Sequence, residues 1–386
     1  MRGDEEQQGA MWSGASPQDL ASRENANLDV LRATAVVIVL VAHLLQFVFP
    51  HPYALGLLWG FGRFGVLIFF VHTTLVLMLS MERLNLSDKA LFVGFYIRRA
   101  FRIYPLSIAT VLIVWVLQLP PRPTGAYDLP PGPLHLGSNL LLTMNLTYSP
   151  VILGPLWSLP YEMQMYLVLP LFFVFLRRYP SLGVLLGIWV LALPLALAQP
   201  HIVGRADVIQ YVPCFLGGIV AFHLLPRVSP RLPFYLLPIS IVAIFIGFHL
   251  WDPMLRGWIP CLVLGLIIPL FHEVKTRWLR IGARTIAQYS YGIYLFHLIV
   301  IWLCFLRIEV PGPVRWLLFA ALMVIAPFVA FHALERPLTL VGQELARRVA
   351  LFPPTSASVS TFTPVAKAAQ AVVQKLVPAA NGRRPW

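Results

Sequence analysis

Along this chain, apolar residues gather into long runs separated by short polar punctuation. Ten such runs can be marked, at about 29–49, 60–80, 103–119, 156–176, 181–198, 207–225, 233–251, 257–272, 286–306 and 314–334. Most approach the roughly 20 residues that a bilayer's hydrocarbon core requires of a helix. Cations are not scattered between the runs. Arg83, Lys89, Arg98, Arg99 and Arg102 follow the second run, Arg177 and Arg178 the fourth, Arg227 and Arg231 the sixth, and Lys275, Arg277, Arg280 and Arg284 the eighth. Links after odd-numbered runs carry only Arg122, Arg205, Arg256, Arg307 and Arg315. Basic residues favour the cytoplasmic side of a membrane. The alternation therefore predicts an all-α polytopic membrane protein of about ten transmembrane helices with both termini cytoplasmic.

The flanks read differently. Residues 1–27 are polar and mixed in charge, which predicts a disordered cytoplasmic tail with no apolar signal segment. The transmembrane domain is expected over 28–340. A Pro-rich loop is expected over 120–133, and a short amphipathic piece over 139–147. From 341 to 386 a second cytoplasmic tail is expected, mostly disordered, with a weak basic amphipathic stretch at 364–377.

Composition agrees: 58% of the 386 residues are hydrophobic and 12% charged, about half the charged share of a soluble domain. The net charge of +13 could suggest nucleic acid, but the cations sit in inter-helix links, so no nucleic-acid binding is inferred. Cys214, Cys261 and Cys304 lie singly in apolar runs and read as packing residues.

Ionisable groups inside a span are costly and point to a site facing the protein interior. Arg32 opens the first run and His43 follows eleven residues on, which places both on one helical stripe about 16 Å apart. Alone, Arg32 reads as a positive-inside anchor and His43 as a core histidine. Arg99 and Arg102, three apart, form a guanidinium fork suited to phosphate at the cytoplasmic start of the third span. Trp157, Glu162 and Tyr166 open the fourth span, on the outer side toward which His43 points. Ser290, Tyr294 and His297 share a stripe of the ninth. His72, His249, His272 and His332 stand singly and read mainly as structural groups. No HExxH spacing, GxSxG elbow or Walker loop occurs, so neither a metal, a serine hydrolase nor a nucleotide-driven pump is indicated.

Together these motifs resemble the bacterial acyltransferase-3 family of integral membrane acyltransferases, which O-acylate sugars and related molecules. Leu28-Asp-Val-Leu-Arg32 leading to His43 resembles its Arg-x10-His opening. Arg99-Ala-Phe-Arg102-Ile-Tyr-Pro105 is similar to its RxxR motif, and Trp157-Ser-Leu-Pro-Tyr-Glu162 to its Trp-Ser-Leu-x-x-Glu motif. Ser290-Tyr-Gly-Ile-Tyr294-Leu-Phe-His297 and Glu335-Arg-Pro337 resemble its closing motifs. The likeness spans about 28–340. Leu67 stands where the family often has Asp, Thr73-Thr74-Leu75 where it has Ser-Gly-Phe, and Pro160 where a small polar residue is usual.

The resemblance implies an acyl group, acetyl first among candidates, moved from cytoplasmic acyl-CoA to a hydroxyl of a glycan or related envelope molecule. The setting implied is the bacterial cytoplasmic membrane, among its lipids, with no metal. Arg32, Arg99 and Arg102 would hold the CoA phosphates. His43 would act as general base or acyl carrier, and Glu162 would orient His43 or the acceptor. Trp157, Tyr166, Tyr294 and His297 would bind substrate. A chain ending without the family's occasional extracytoplasmic domain is expected to complete transfer within the membrane domain. The competing reading is a transporter or flippase. Against it, the sequence shows no internal repeat and no paired broken helices.

Overall fold

The computed structural model describes residues 17–48, 55–84, 87–119, 132–202, 204, 207–251 and 256–351. The expected loop 120–133 and the distal parts of both expected tails, including 364–377, lie almost wholly outside them. Among the described residues the fold is helical throughout, and its one β feature is an isolated parallel bridge between Leu232 and Phe271. Of the described helices, seven are long and apolar enough to cross a membrane, and Val212–Leu224, Leu236–Trp251 and Trp258–Leu270 are shorter apolar helices. Many large apolar side chains stay exposed along the outer helices, among them Leu191, Leu195, Ile239, Val242, Leu317 and Val324. In water such a surface would aggregate; in lipid it is the solvent-facing side.

Helix α1 (Pro17–Val48) packs against α2 (Leu55–Leu84), and α2 is the spine of the bundle. Its most apolar stretch is 78% buried, against 11% for the peripheral segment Gly312–Val349. An α2 that is apolar on every side has no lipid face to prefer, and it ends in the middle. Two glycines permit this. A Cβ at Gly65 would come 2.9 Å from the Ala35 carbonyl of α1, and one at Gly218 would overlap the Val71 carbonyl, so α7 (Val212–Leu224) lies directly on α2. Small residues at crossings let membrane helices approach closely. The three cysteines are free and buried.

The third span differs from the sequence expectation. Rather than starting near 103, α3 runs Asp88–Val116, with Asp88 in its first turn. Leu91, Gly94 and Phe95 continue the buried stripe of Ile103, Leu106 and Thr110, and Arg98, Arg99 and Arg102 fall in its gap. The supposed basic connector is thus mid-helix. The short helix α4 (Pro133–Leu140) leads through a turn at Met144–Thr147 and a 3-10 segment, Gly154–Ser158, into α5 (Leu159–Arg178). Asn139 anchors that approach: its Nδ2 donates to the Pro150 carbonyl (3.0 Å) and its Oδ1 accepts from Ile152 N (2.9 Å).

After α5 come α6 (Leu182–Ile202), then α7, α8 (Leu236–Trp251) and α9 (Trp258–Ile267). Helix α10 (Arg277–Ile301) packs along α1 and ends in a π-helical turn, Trp302–Arg307. Helix α11 (Gly312–Ala330) passes through a second π turn, Phe331–Glu335, into amphipathic α12 (Arg336–Leu351), which lies along α3. The first part of the expected C-terminal tail is therefore helix, as are residues 17–27 at the other end.

Candidate active site

Four of the central helices and α5 converge on a cavity of about 80 Å³. Its polar lining is Arg32, His72, Thr73, Arg99, Arg102, Ser158, Glu162, Tyr166, Ser290, Tyr291 and Tyr294, from α1, α2, α3, the 3-10 entry, α5 and α10. Arg32 Nε donates to Ser290 Oγ at 2.7 Å, and Ser290 in turn donates to the Ala287 carbonyl at 2.8 Å. That leaves the terminal amino groups of Arg32 for the cavity. Arg102 is ion-paired with the buried Glu335, whose second oxygen has no partner. Arg99 lines the cavity near Glu162 and Tyr166, and among the described residues no acceptor engages it. Tyr166 donates to Glu162 Oε2 at 2.7 Å. Three guanidinium groups thus meet in one enclosed space with Glu162 among them, an arrangement for receiving negative charge or carbonyl oxygens.

A second cavity, about 320 Å³, is lined by Asp29, Arg32, Arg102, Arg284, Ala287, Gln288 and Phe331. It shares Arg32 and Arg102 with the first, so the two are successive chambers. The larger one lies toward the N-terminal ends of α1 and α10.

Further along α1 sits a histidine pair. His297 Nδ1 lies 2.7 Å from the Tyr294 carbonyl, which fixes its proton there and makes Nε2 an acceptor. His43 Nδ1 faces that Nε2 at 3.2 Å and the Val39 carbonyl at 2.9 Å, both acceptors, so Nδ1 carries the proton of His43. The lone pair of His43 is then on Nε2. Gly62 of α2 lies beside this ring; a Cβ there would make ordinary contact with His43 Cε1 at 3.8 Å and a tight one only with Ala42 Cβ, at 3.2 Å. Tyr294 joins the two regions: its hydroxyl donates to the Pro155 carbonyl (2.8 Å) and accepts from Ser158 Oγ (2.9 Å).

The structure therefore gathers Arg32, Arg99, Arg102, Glu162, Tyr166 and Tyr294 at one cavity and sets His43 with His297 beyond it. Glu162 does not meet His43. The 3-10 entry carries the start of α5 into the bundle on the Arg99 side, so the imidazole's side-chain partner is His297. Trp157 lies apart from the cavity, its ring 6.1 Å from those of Tyr161 and Tyr211. Arg63 joins that group, its Cζ 5.2 Å from the Trp59 ring and 5.8 Å from that of Tyr211.

His72, Thr73, Arg63 and Arg284 are the residues that the sequence did not single out as site groups. A signal existed for two of them, Arg63 and His72. Trp59, Arg63, Val66, Phe69, His72 and Val76 recur every three or four residues on α2, one stripe with polar members in an otherwise apolar helix.

Residues 25–332 match the acyltransferase domain of the acyltransferase-3 family, and the chain belongs to that family. Among curated proteins it is similar to the peptidoglycan O-acetyltransferase OatA of Listeria monocytogenes, at 27% identity over 372 residues. The match covers 82% of this chain and 56% of that relative, so the chain spans little over half the relative's length. No solved structure matches it.

Proposed function

We propose that this chain is a multi-pass O-acyltransferase of the bacterial cytoplasmic membrane. It carries an acyl group, acetyl by its likeness to the Listeria enzyme, from cytoplasmic acyl-CoA to a hydroxyl of peptidoglycan or a related envelope glycan. The single observation that carries this reading is the sequence of sites along α1. An arginine-lined pair of chambers gives way, about 16 Å along the helix, to an imidazole whose Nδ1 is committed and whose Nε2 lone pair is free to take a proton. The alternation of cationic links supports ten spans with both termini inside, which turns the larger chamber toward the cytoplasm.

In this reading the donor enters past Arg284, Arg32 and Arg102, with Arg99 deeper in. His43 Nε2 takes the acceptor's hydroxyl proton as its oxygen bonds to the thioester carbonyl carbon. The carbon–sulfur bond breaks, and the imidazolium returns the proton to the leaving thiolate, releasing free CoA thiol. His297 acts through His43: its Nε2 accepts from Nδ1–H, which holds the tautomer and favours the transient positive charge. Glu162, bonded to Tyr166 and beside Arg32 and Arg99, holds the guanidinium groups in place. Tyr294 fixes the passage between chamber and histidines. Trp157, with Tyr161, Tyr211, Trp59 and Arg63, offers aromatic faces and a cation to the acceptor at the opposite end.

The test is transfer of radiolabelled acetyl from acetyl-CoA to extracted envelope glycans by membranes carrying the intact protein or His43→Ala. Label incorporated by the first and reduced about 10²- to 10⁴-fold in the second, at equal protein level, is the expected result. Envelope changes that survive His43→Ala, with no transfer from any acyl donor, would overturn it in favour of a transporter.

A further inference from the structure

The inner chamber holds a group that the mechanism above does not use. His72 is 3% exposed and lines the cavity from α2. Its Nδ1 is fully buried and has no hydrogen-bond partner among the described residues. An unpaired buried polar atom is rare and destabilising, and in a native protein it needs an explanation. In the Nε2–H tautomer of the neutral ring this Nδ1 presents a lone pair.

That lone pair changes what the chamber recognises. Arg32, Arg99 and Arg102 are pure donors, suited to phosphate or to carbonyl oxygen. The Glu162 carboxylate accepts from Tyr166 through Oε2 and sits as a charged group beside Arg32 and Arg99, so it is not a neutral acceptor. His72 Nδ1 is an uncommitted neutral acceptor in the same wall. A fully ionised phosphate has no hydrogen to offer it. A secondary amide has both partners on one planar group, with C=O for a guanidinium and N–H for the imidazole. Size agrees: about 80 Å³ is room for two or three waters, enough for an amide and its neighbouring atoms but not for a nucleotide. The 320 Å³ outer chamber, with Arg284 and Gln288, has the space for the charged end.

We propose that His72 is a further donor-binding residue, accepting a hydrogen bond from an amide N–H of the donor's pantetheine arm while Arg99 or Arg32 donates to an amide carbonyl. This rests on the acyl-CoA reading and fixes the donor's register: phosphates in the outer chamber, an amide at His72, the thioester at His43.

The experiment uses the purified full chain with two donors, acetyl-CoA and S-acetyl-mercaptoethanol, a thioester without an amide. In His72→Leu the KM for acetyl-CoA should rise about tenfold, the order expected from leaving one ligand N–H unpaired in a dry site, with kcat within about threefold. The KM for the amide-free thioester should stay unchanged. His72→Asn, which keeps an acceptor, should recover much of the loss. The melting temperature of His72→Leu should equal or exceed that of the intact protein, because an unsatisfied buried atom has been removed. Equal KM increases for both donors, an unchanged KM for acetyl-CoA, or a marked fall in melting temperature would each overturn the assignment. No transfer from either donor by the intact protein would instead remove the acyl-CoA reading beneath it.

Discussion

In the proposed reaction the unit of chemistry is a single imidazole. His43 Nδ1 is held by two acceptors, Val39 O and His297 Nε2, and rotating the ring to release it would forfeit both. Replacing His297 should therefore act through His43. We expect His297→Ala to lower kcat about tenfold with little change in KM. His297→Gln, whose amide oxygen can still accept from Nδ1–H, should regain part of that rate. Initial rates against acyl-donor concentration separate the two parameters, and a KM effect as large as the kcat effect would count against this role. At the opposite end of the site, Arg102 and the buried Glu335 form an ion pair. Arg102→Ala would strand a carboxylate in the interior, at a cost of about 3–5 kcal/mol, whereas Arg102→Leu combined with Glu335→Leu should lose much less. Unfolding midpoints in one detergent would show whether the double variant is the more stable.

At the scale of the helix, the close crossings around α2 set the site. Gly218→Ala should push α7 off the Val71 carbonyl and destabilise by about 1–3 kcal/mol, while Gly56→Ala, where a Cβ meets nothing within 4 Å, should be neutral or slightly stabilising. Thermal melts of the two variants make the comparison. The same helix shows what a sequence can and cannot convey. Its span was legible because lipid solubility is written in composition, and α1 could be read further because Arg32 and His43 stand out against it. The direction in which α2 faces is carried by only two polar residues, Arg63 and His72, in a largely apolar helix, and so sparse a signal was not read. His72 and Arg63 were therefore missed. In α3 the error ran the other way. Three arginines look like a water-exposed link when hydropathy is averaged along the chain, yet Leu91, Gly94 and Phe95 keep the buried stripe in phase through them. For Glu162 the obstacle was a different one. Its neighbours depend on how deep residues 149–158 run, and that is set by long-range bonds such as Tyr294 to Ser158.

For the molecule as a whole, the question is which way the chambers face. Two features of different origin bear on it. Clusters of cations follow the even-numbered runs, and the larger chamber, with Arg284 in its wall, sits at the N-terminal ends of α1 and α10, beside one of those clusters. If positive residues mark the cytoplasmic face, donor entry and basic links lie on one side, and His43, Trp59 and Trp157 lie toward the other. Single cysteines can decide this, because Cys214, Cys261 and Cys304 are buried and should stay silent toward a membrane-impermeant thiol reagent. Exposed positions at the two ends are Tyr179, after α5, and Leu134, at the start of α4. Tyr179→Cys should label only in inverted vesicles and Leu134→Cys only from outside the cell. The reverse pattern would put the arginine chambers outside, where acyl-CoA is absent, and the order of events along α1 would have to be read backwards. Labelling of both from one side would instead mean an even number of crossings between residues 134 and 179, contrary to the single passage of α5 through the bilayer with its N-terminal entry sunk beside Arg99.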